Sequence, residues 1–350
     1  MIPYWILFIL FALGALLEPD GSESRRRWSL SLQFALFLVA LMIGLRFKVG
    51  ADWNTYKAIF EYSRHIGAER MVSIFGDPAY ALLTWSVCHA GGEIWQVNLV
   101  CGLIFGWGLQ RFARTQTNPW LATSVAIPYL VIVVAMGYSR QAVAIGILMA
   151  GLASVIRGAT TARFACYVVA AALFHKTAVV MLPLVAFAQP RSRLINLLIG
   201  VALSVLFYDL FLSESVNYFY RNYIKAEYSS QGAAIRIALN IIPAALFLLN
   251  WKRFEFPRVE LRLWIYFSIA SLILLVLLIA VPSSTAVDRI ALYVMPLQLA
   301  IWSRVPRAYG LQKFGRVAVV AFSAVVLFAW LTYAVHSRYW VPYQVYPIFA

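Results

Sequence analysis

His175 and Lys176 stand side by side within AALFHKTAVVMLPL, residues 171–184, and interrupt a run that otherwise reads as membrane-spanning sequence. An ionisable side chain near the centre of a bilayer costs roughly 2.5–3.5 kcal/mol even on the gentler insertion scales. Either the segment does not sit where hydropathy suggests, or the charge serves chemistry. Histidine is the natural group for proton exchange near neutral pH. Four further clusters share this character. GLRFKVGADWNTYKAIF (44–60) carries Arg46, Asp52 and Tyr56, and the last two, four apart, share one face of a helix. MGYSRQAVAIGI (136–147) opens an apolar helix with Arg140 and Gln141. PSSTAVDRIALYVMPL (282–297) places Tyr293 four residues after Arg289, and NYFYRNYIKAEYSSQGAAIR (217–236) is dense in tyrosine and ends at Arg236.

Each cluster has a plainer structural reading. Trp53 and Tyr56 suit an interfacial aromatic belt, Arg140 can snorkel, and Asp288 can cap a helix beside Arg289. Taken together, Arg46, Arg140, Lys176, Arg236 and Arg289 form a cationic set with few carboxylates. Arginine forks pair with phosphate oxygens in bidentate fashion. The set predicts a diphosphate site for a lipid-linked substrate, with Gln141, Tyr56 and Tyr293 beside it. His175 is the first candidate for a catalytic base and Asp52 the second. No Gly-rich nucleotide loop and no dense acidic metal cluster occurs in the chain, so neither a soluble nucleotide donor nor a metal or other cofactor is implied.

These residues must be positioned by membrane helices. The chain of 350 residues is 63% hydrophobic and 12% charged, with a mean hydropathy of +0.78. An average soluble domain is about 25% charged. Apolar stretches recur at about 2–17, 28–45, 94–110, 120–136, 139–156, 162–174, 177–189, 194–212, 234–250, 263–281, 289–303 and 317–335. They predict an all-α polytopic membrane protein with about 12 transmembrane helices in a single domain, residues 1–350. Stretch 77–91 is expected as an interfacial or re-entrant helix. The net charge of +15 does not indicate nucleic acid, because the basic residues are scattered over loops and form no stripe. Cys88, Cys101 and Cys166 lie in apolar segments without metal-like spacing.

More than half of the 29 basic residues fall in one alternating set of loops, which predicts both termini on the outer side. The first apolar stretch lacks a basic flank and a cleavage site, and Arg25, Arg26 and Arg27 follow it, so it is expected as a retained span. The layout puts residues 174–177 at a turn between two short helices, with outer-face segments at about 46–92 and 213–233. The unusual polar clusters then converge on that one face.

With these residues identified, the chain resembles the EpsG family of Wzy-like bacterial exopolysaccharide polymerases. The resemblance runs from about residue 40 to the end. It is carried by RFKVGADWNTY (46–56), D-P-x-Y (77–80), R-Q-x-x-A (140–144), F-H-x-[ST]-A (174–178), D-R-x-x-x-Y (288–293) and W-x-P-Y (340–343). Lys176 stands at a variable place in that pattern. The resemblance implies a GT-C-like fold in the bacterial cytoplasmic membrane with its active site facing outward. It implies glycosyl transfer between undecaprenyl-diphosphate-linked donor and acceptor oligosaccharides, with a chain-length regulator and export proteins as further partners. Two alternatives are a GT-C glycosyltransferase that adds single sugars from a polyprenyl phosphate, and a transporter or flippase of lipid-linked glycan.

Overall fold

The computed structural model describes residues 1–18, 25–188, 201, 205, 232–280 and 284–349, and these are helical almost throughout. Apart from residues 201 and 205, the expected span 194–212 and the tyrosine-rich segment up to residue 231 lie outside the described residues. The first half of the chain forms α1 (Ile2–Leu17), α2 (Arg25–Gly44), α3 (Trp53–Tyr62), α4 (Ala68–Phe75), α5 (Pro78–His89), α6 (Ile94–Ala113), α7 (Pro119–Ala126) and α8 (Ser139–Ile156). There follow α9 (Thr161–Ala172), α10 (Met181–Ala188), α11 (Ala233–Asn250), α12 (Arg258–Ala280), α13 (Ser284–Val294), α14 (Pro296–Ala308) and α15 (Gln312–Tyr333).

Ser139–Ile156, Ala233–Phe254, Arg258–Ala280 and Gln312–Tyr333 are long and apolar enough to cross a membrane. Shorter apolar helices accompany them, including Ile2–Leu17, Leu30–Gly44 and Thr161–Ala172. This architecture is consistent with a polytopic membrane protein. Burial separates inner from outer helices. The apolar window of α8 is 89% buried, whereas those of α12 and α15 are 33% buried. Helices apolar on all sides belong in the centre, and half-buried apolar helices offer their free side to lipid. Helix α7 continues as a π-helical stretch, Ile127–Ala135, and the two together are buried over nearly their whole length, α7 packing against α1 and α14 and the π-helical stretch against α8. Helices α6 and α8 approach backbone to backbone, since a Cβ on Gly108 would collide with the carbonyl of Gly146.

Two expectations are corrected. The stretch 289–303 is not one helix: α13 ends at Val294 and α14 starts at Pro296. Pro296 has no N–H to donate back along the helix and its ring crowds the preceding turn. Residues 177–189 do not form a single α-helix either. They begin as a 3-10 turn, Lys176–Val180, before α10. The break between α9 and this turn falls where the sequence places it, with His175 in extended backbone at φ −158° and ψ 110°. The segment 46–76 contains α3 and α4, and it also holds β1 (Arg46–Phe47). This strand pairs antiparallel with β2 (Gln344–Val345), with Arg46 opposite Val345.

Candidate functional site

Asp77 occupies the position before Pro78 at the start of α5, where an aspartate ordinarily caps the helix. It makes no capping hydrogen bond. Its carboxylate turns toward α8 instead, and Arg140 Nη1 donates to Oδ2 at 2.7 Å. The same oxygen lies 3.7 Å from Nδ1 of His175, a close charge contact longer than a hydrogen bond. On the other carboxylate oxygen, the backbone N–H of Lys176 donates to Oδ1 at 3.4 Å. The Ala79 N–H donates to the Leu173 carbonyl at 2.9 Å, so the start of α5 is tied to the end of α9. Three elements distant in sequence therefore meet around one carboxylate.

The balance of charge follows from this geometry. Burial pushes the Asp77 carboxyl up, but His175 and Arg140 outweigh it and hold the group below the usual carboxylate range. Burial pushes His175 below the ordinary imidazole value, while Asp77 draws it upward and Arg140 and Arg289 oppose the added proton. Among the described residues neither ring nitrogen has a hydrogen-bond partner. A neutral imidazole, close to a carboxylate on its Nδ1 side and with Nε2 uncommitted, is the arrangement of a general base.

Asp52 precedes α3 and likewise makes no capping hydrogen bond. Burial raises its carboxyl above the ordinary range, and the fields of Arg289 and Arg140 pull it back. Tyr56, one turn later, places its ring 5.9 Å from the Arg140 guanidinium and packs against Tyr80. Gln141 donates from Nε2 to the Arg289 carbonyl at 2.7 Å, which fixes α13 against α8. The Tyr293 hydroxyl meets the Thr177 hydroxyl at 3.0 Å, tying α13 to the turn that carries His175. Arg289 lies with its guanidinium 6.0 Å from the Tyr138 ring. The structure thus brings Asp52, Tyr56, Arg140, Gln141, His175, Lys176, Arg289 and Tyr293 into one neighbourhood.

Two of the arginines singled out in the sequence have other engagements. Arg46 is 1% exposed. It donates to the Ile43 carbonyl, to Asn98 Oδ1 at 3.0 Å and to Ser139 Oγ at 2.7 Å. Its fork therefore fastens α2, α6 and the first turn of α8, immediately before Arg140. Arg236 pairs with Asp288 through Nε and Oδ1 at 2.7 Å. Among the described residues no group of three His, Cys, Asp or Glu side chains is placed to hold a metal.

Reasoning from sequence names Asp77 only within the D-P-x-Y stretch of the family resemblance and gives it no role at the site, since an aspartate before a proline at a helix start also suits a cap. The signal is electrostatic. An arginine near the start of an apolar helix needs a counter-charge, and a carboxylate that precedes another helix on the same predicted face can supply one.

The sequence pattern of the EpsG family matches residues 30–345, nearly the whole chain. The chain belongs to the EpsG family. EpsG proteins are Wzy-like polymerases. No curated protein and no solved structure matches the chain. Membership covers every element of the neighbourhood just described, from Asp52 before α3 to Tyr293 on α13.

Proposed function

We propose that this EpsG-family protein is a polysaccharide polymerase acting on lipid-diphosphate-linked repeat units. It would sit with both termini outside, in a GT-C-like bundle of about 12 spans in the bacterial cytoplasmic membrane, and transfer a growing glycan at the outer face. The observation that carries the reading is the Asp77 carboxylate between Arg140 and His175, next to Arg289 and Asp52.

In this mechanism the acceptor sugar hydroxyl attacks the anomeric carbon of the donor glycan. The new C–O bond forms as the bond to the donor diphosphate breaks, and the electron pair leaves with the diphosphate. The hydroxyl proton passes to Nε2 of His175, and Asp77 stabilises the imidazolium that results. Asp52 is the alternative base. Arg289 and Arg140 stabilise the charge that develops on the departing diphosphate, and they do so without reorganising. Lys176 adds positive charge at the rim, while Tyr56 and Tyr293 wall the site. Arg46 holds the first turn of α8, so it acts on Arg140 through position. Lipid anchors on both substrates keep the reactants at the membrane surface and supply much of the rate through proximity.

The test is an assay of purified protein with a lipid-diphosphate-linked repeat unit, resolved by gel. A ladder of repeats that vanishes in His175→Ala and in Arg289→Ala supports the proposal. A single added sugar from a polyprenyl-phosphate donor, with no ladder, would replace it with single-addition transfer. If Arg140→Ala and Arg289→Ala both left the ladder intact, the diphosphate assignment would be wrong.

A further inference from the structure

Helix α8 carries the candidate site at its Ser139 end, and a second cationic feature lies at its other end, about 27 Å away by the rise of an 18-residue helix. There a cavity of about 210 Å³ is lined by Arg111, Ser154, Arg157, Gly158, Ala159 and Arg163. Arg111 comes from the last turn of α6, Arg157 from the end of α8 and Arg163 from the first turn of α9. No acidic side chain lines the cavity. Among the described residues none of the three arginines forms an ion pair with a carboxylate. Nε of Arg111 is buried and has no hydrogen-bond partner there.

Arginines at the ends of membrane helices serve as topology signals and need no ligand. This group differs in that three arginines from three helices line one cavity. Like charges brought together repel each other, and an anion placed among them removes that repulsion. We infer that this cavity binds a phosphate group presented by an anionic phospholipid headgroup. Its volume is below the roughly 300–1,000 Å³ of pockets that hold drug-sized ligands, so it suits a headgroup and not a nucleotide or a glycan. Helix α6 supplies the argument for lipid. Leu103, Trp107 and Arg111 follow at four-residue spacing and line one face. Leu103 and Trp107 are each 42% exposed, and the Arg111 guanidinium lies 5.4 Å from the Trp107 ring. Aliphatic surface, then an interfacial aromatic, then a phosphate-matching fork is the order an acyl chain, glycerol region and headgroup would meet.

The inference is tested by binding to the purified full-length protein in detergent, without reference to polymerisation. The probes are phosphatidylglycerol, phosphatidylcholine and inorganic phosphate. The readouts are the shift in thermal midpoint and the lipid retained in native mass spectrometry. Phosphatidylglycerol should bind saturably and raise the midpoint, and phosphatidylcholine should do so far less. Arg157→Gln with Arg163→Gln, both at exposed positions, should weaken phosphatidylglycerol at least about tenfold, the loss expected from one charge-assisted hydrogen bond. Arg111→Lys keeps the charge without the fork, so it should weaken binding less than Arg111→Gln. Equal binding by wild type and the double variant would overturn the site. Equal binding of phosphatidylcholine would overturn the anionic specificity. A full shift with inorganic phosphate alone would keep the phosphate site and overturn the lipid as its source.

Discussion

Asp77 and Arg140 stand 63 positions apart in the chain and meet at 2.7 Å, Oδ2 to Nη1. The Asp77 side chain is 8% exposed and that of Arg140 30% exposed. The pair therefore works in a setting drier than a surface salt bridge, where Coulomb attraction is less screened. Because the same Oδ2 also faces His175, a change at any one of the three alters the field at the other two. Residues joined in this way respond to mutation as a unit.

Asp77→Asn tests that coupling first. It keeps the shape, removes the charge and leaves Arg140 without its partner. Polymerisation should fall by roughly 100-fold, the lower end of what a positioned base contributes. The double variant with Arg140→Gln should lose less than the two single losses multiplied together. A product equal to the two independent effects, measured from initial rates of ladder formation, would show that the pair is not a functional unit.

The pH profile gives a second, independent check. Burial lowers His175 from its ordinary value near 6.5, so the ring is neutral and able to accept a proton at pH 7. The acid limb of the rate should lie below pH 6.5, where the imidazole gains its proton. Asp77 favours the protonated ring while Arg140 and Arg289 disfavour it, so Asp77→Asn should move the limb to still lower pH. The sign for stability is the same. The unfolded chain binds the His175 proton more readily, and this contribution is lost as pH falls from about 6.5 toward the folded value. A limb that stays fixed in Asp77→Asn would detach the titrating group from this pair.

Helices at 2–17 and 139–156 are legible from the sequence because the apolar runs end at unmistakable polar boundaries. The break at His175 is legible for the same reason: two ionisable residues cannot be placed cheaply inside a continuous span. The division at Met295 is harder to see, since Pro296 lies inside a run whose hydropathy is unbroken. The role of Asp77 is hidden because capping and ion pairing demand the same residue type, and only the approach of α8 decides between them. Arg46 shows the converse. Its chemistry suits a diphosphate, yet the neighbours that claim its fork, Asn98 and Ser139, come from helices whose contact no spacing reveals.

Arg46 and Arg289 should therefore fail differently. Arg46→Gln leaves acceptors on α2, α6 and α8 without their donor, at roughly 1–3 kcal/mol for each one stranded in the interior. A large drop in thermal midpoint, with activity falling alongside it, is expected. Arg289→Gln preserves the backbone carbonyl that Gln141 grips, so its midpoint should stay close to wild type while turnover falls. The measurement is thermal unfolding of both detergent-purified variants beside the polymerisation assay. An Arg46→Gln protein that melts like wild type but turns over slowly would place Arg46 against substrate.

The C-terminal segment sets the last of these tests. Trp340 is buried, donates from Nε1 to the Ile132 carbonyl at 2.7 Å, and accepts from the Tyr4 hydroxyl at its own carbonyl at 2.7 Å. Its ring also covers Gly137, where an added Cβ would lie 2.7 Å from Cζ2. Gly137→Ala must push that ring away or shift the strand of backbone that leads into Arg140. Overpacking of this kind costs typically about 1–3 kcal/mol. Trp340→Phe frees space over Gly137 but strands the Ile132 carbonyl, at roughly 1–3 kcal/mol. The two faults are opposite in volume, so the Gly137→Ala, Trp340→Phe double variant should lose less stability than the sum of the singles, and should regain activity relative to Gly137→Ala. Strictly additive losses in the thermal midpoints would mean that the residues do not press on one another, and that the C-terminal segment does not set the position of the α8 start.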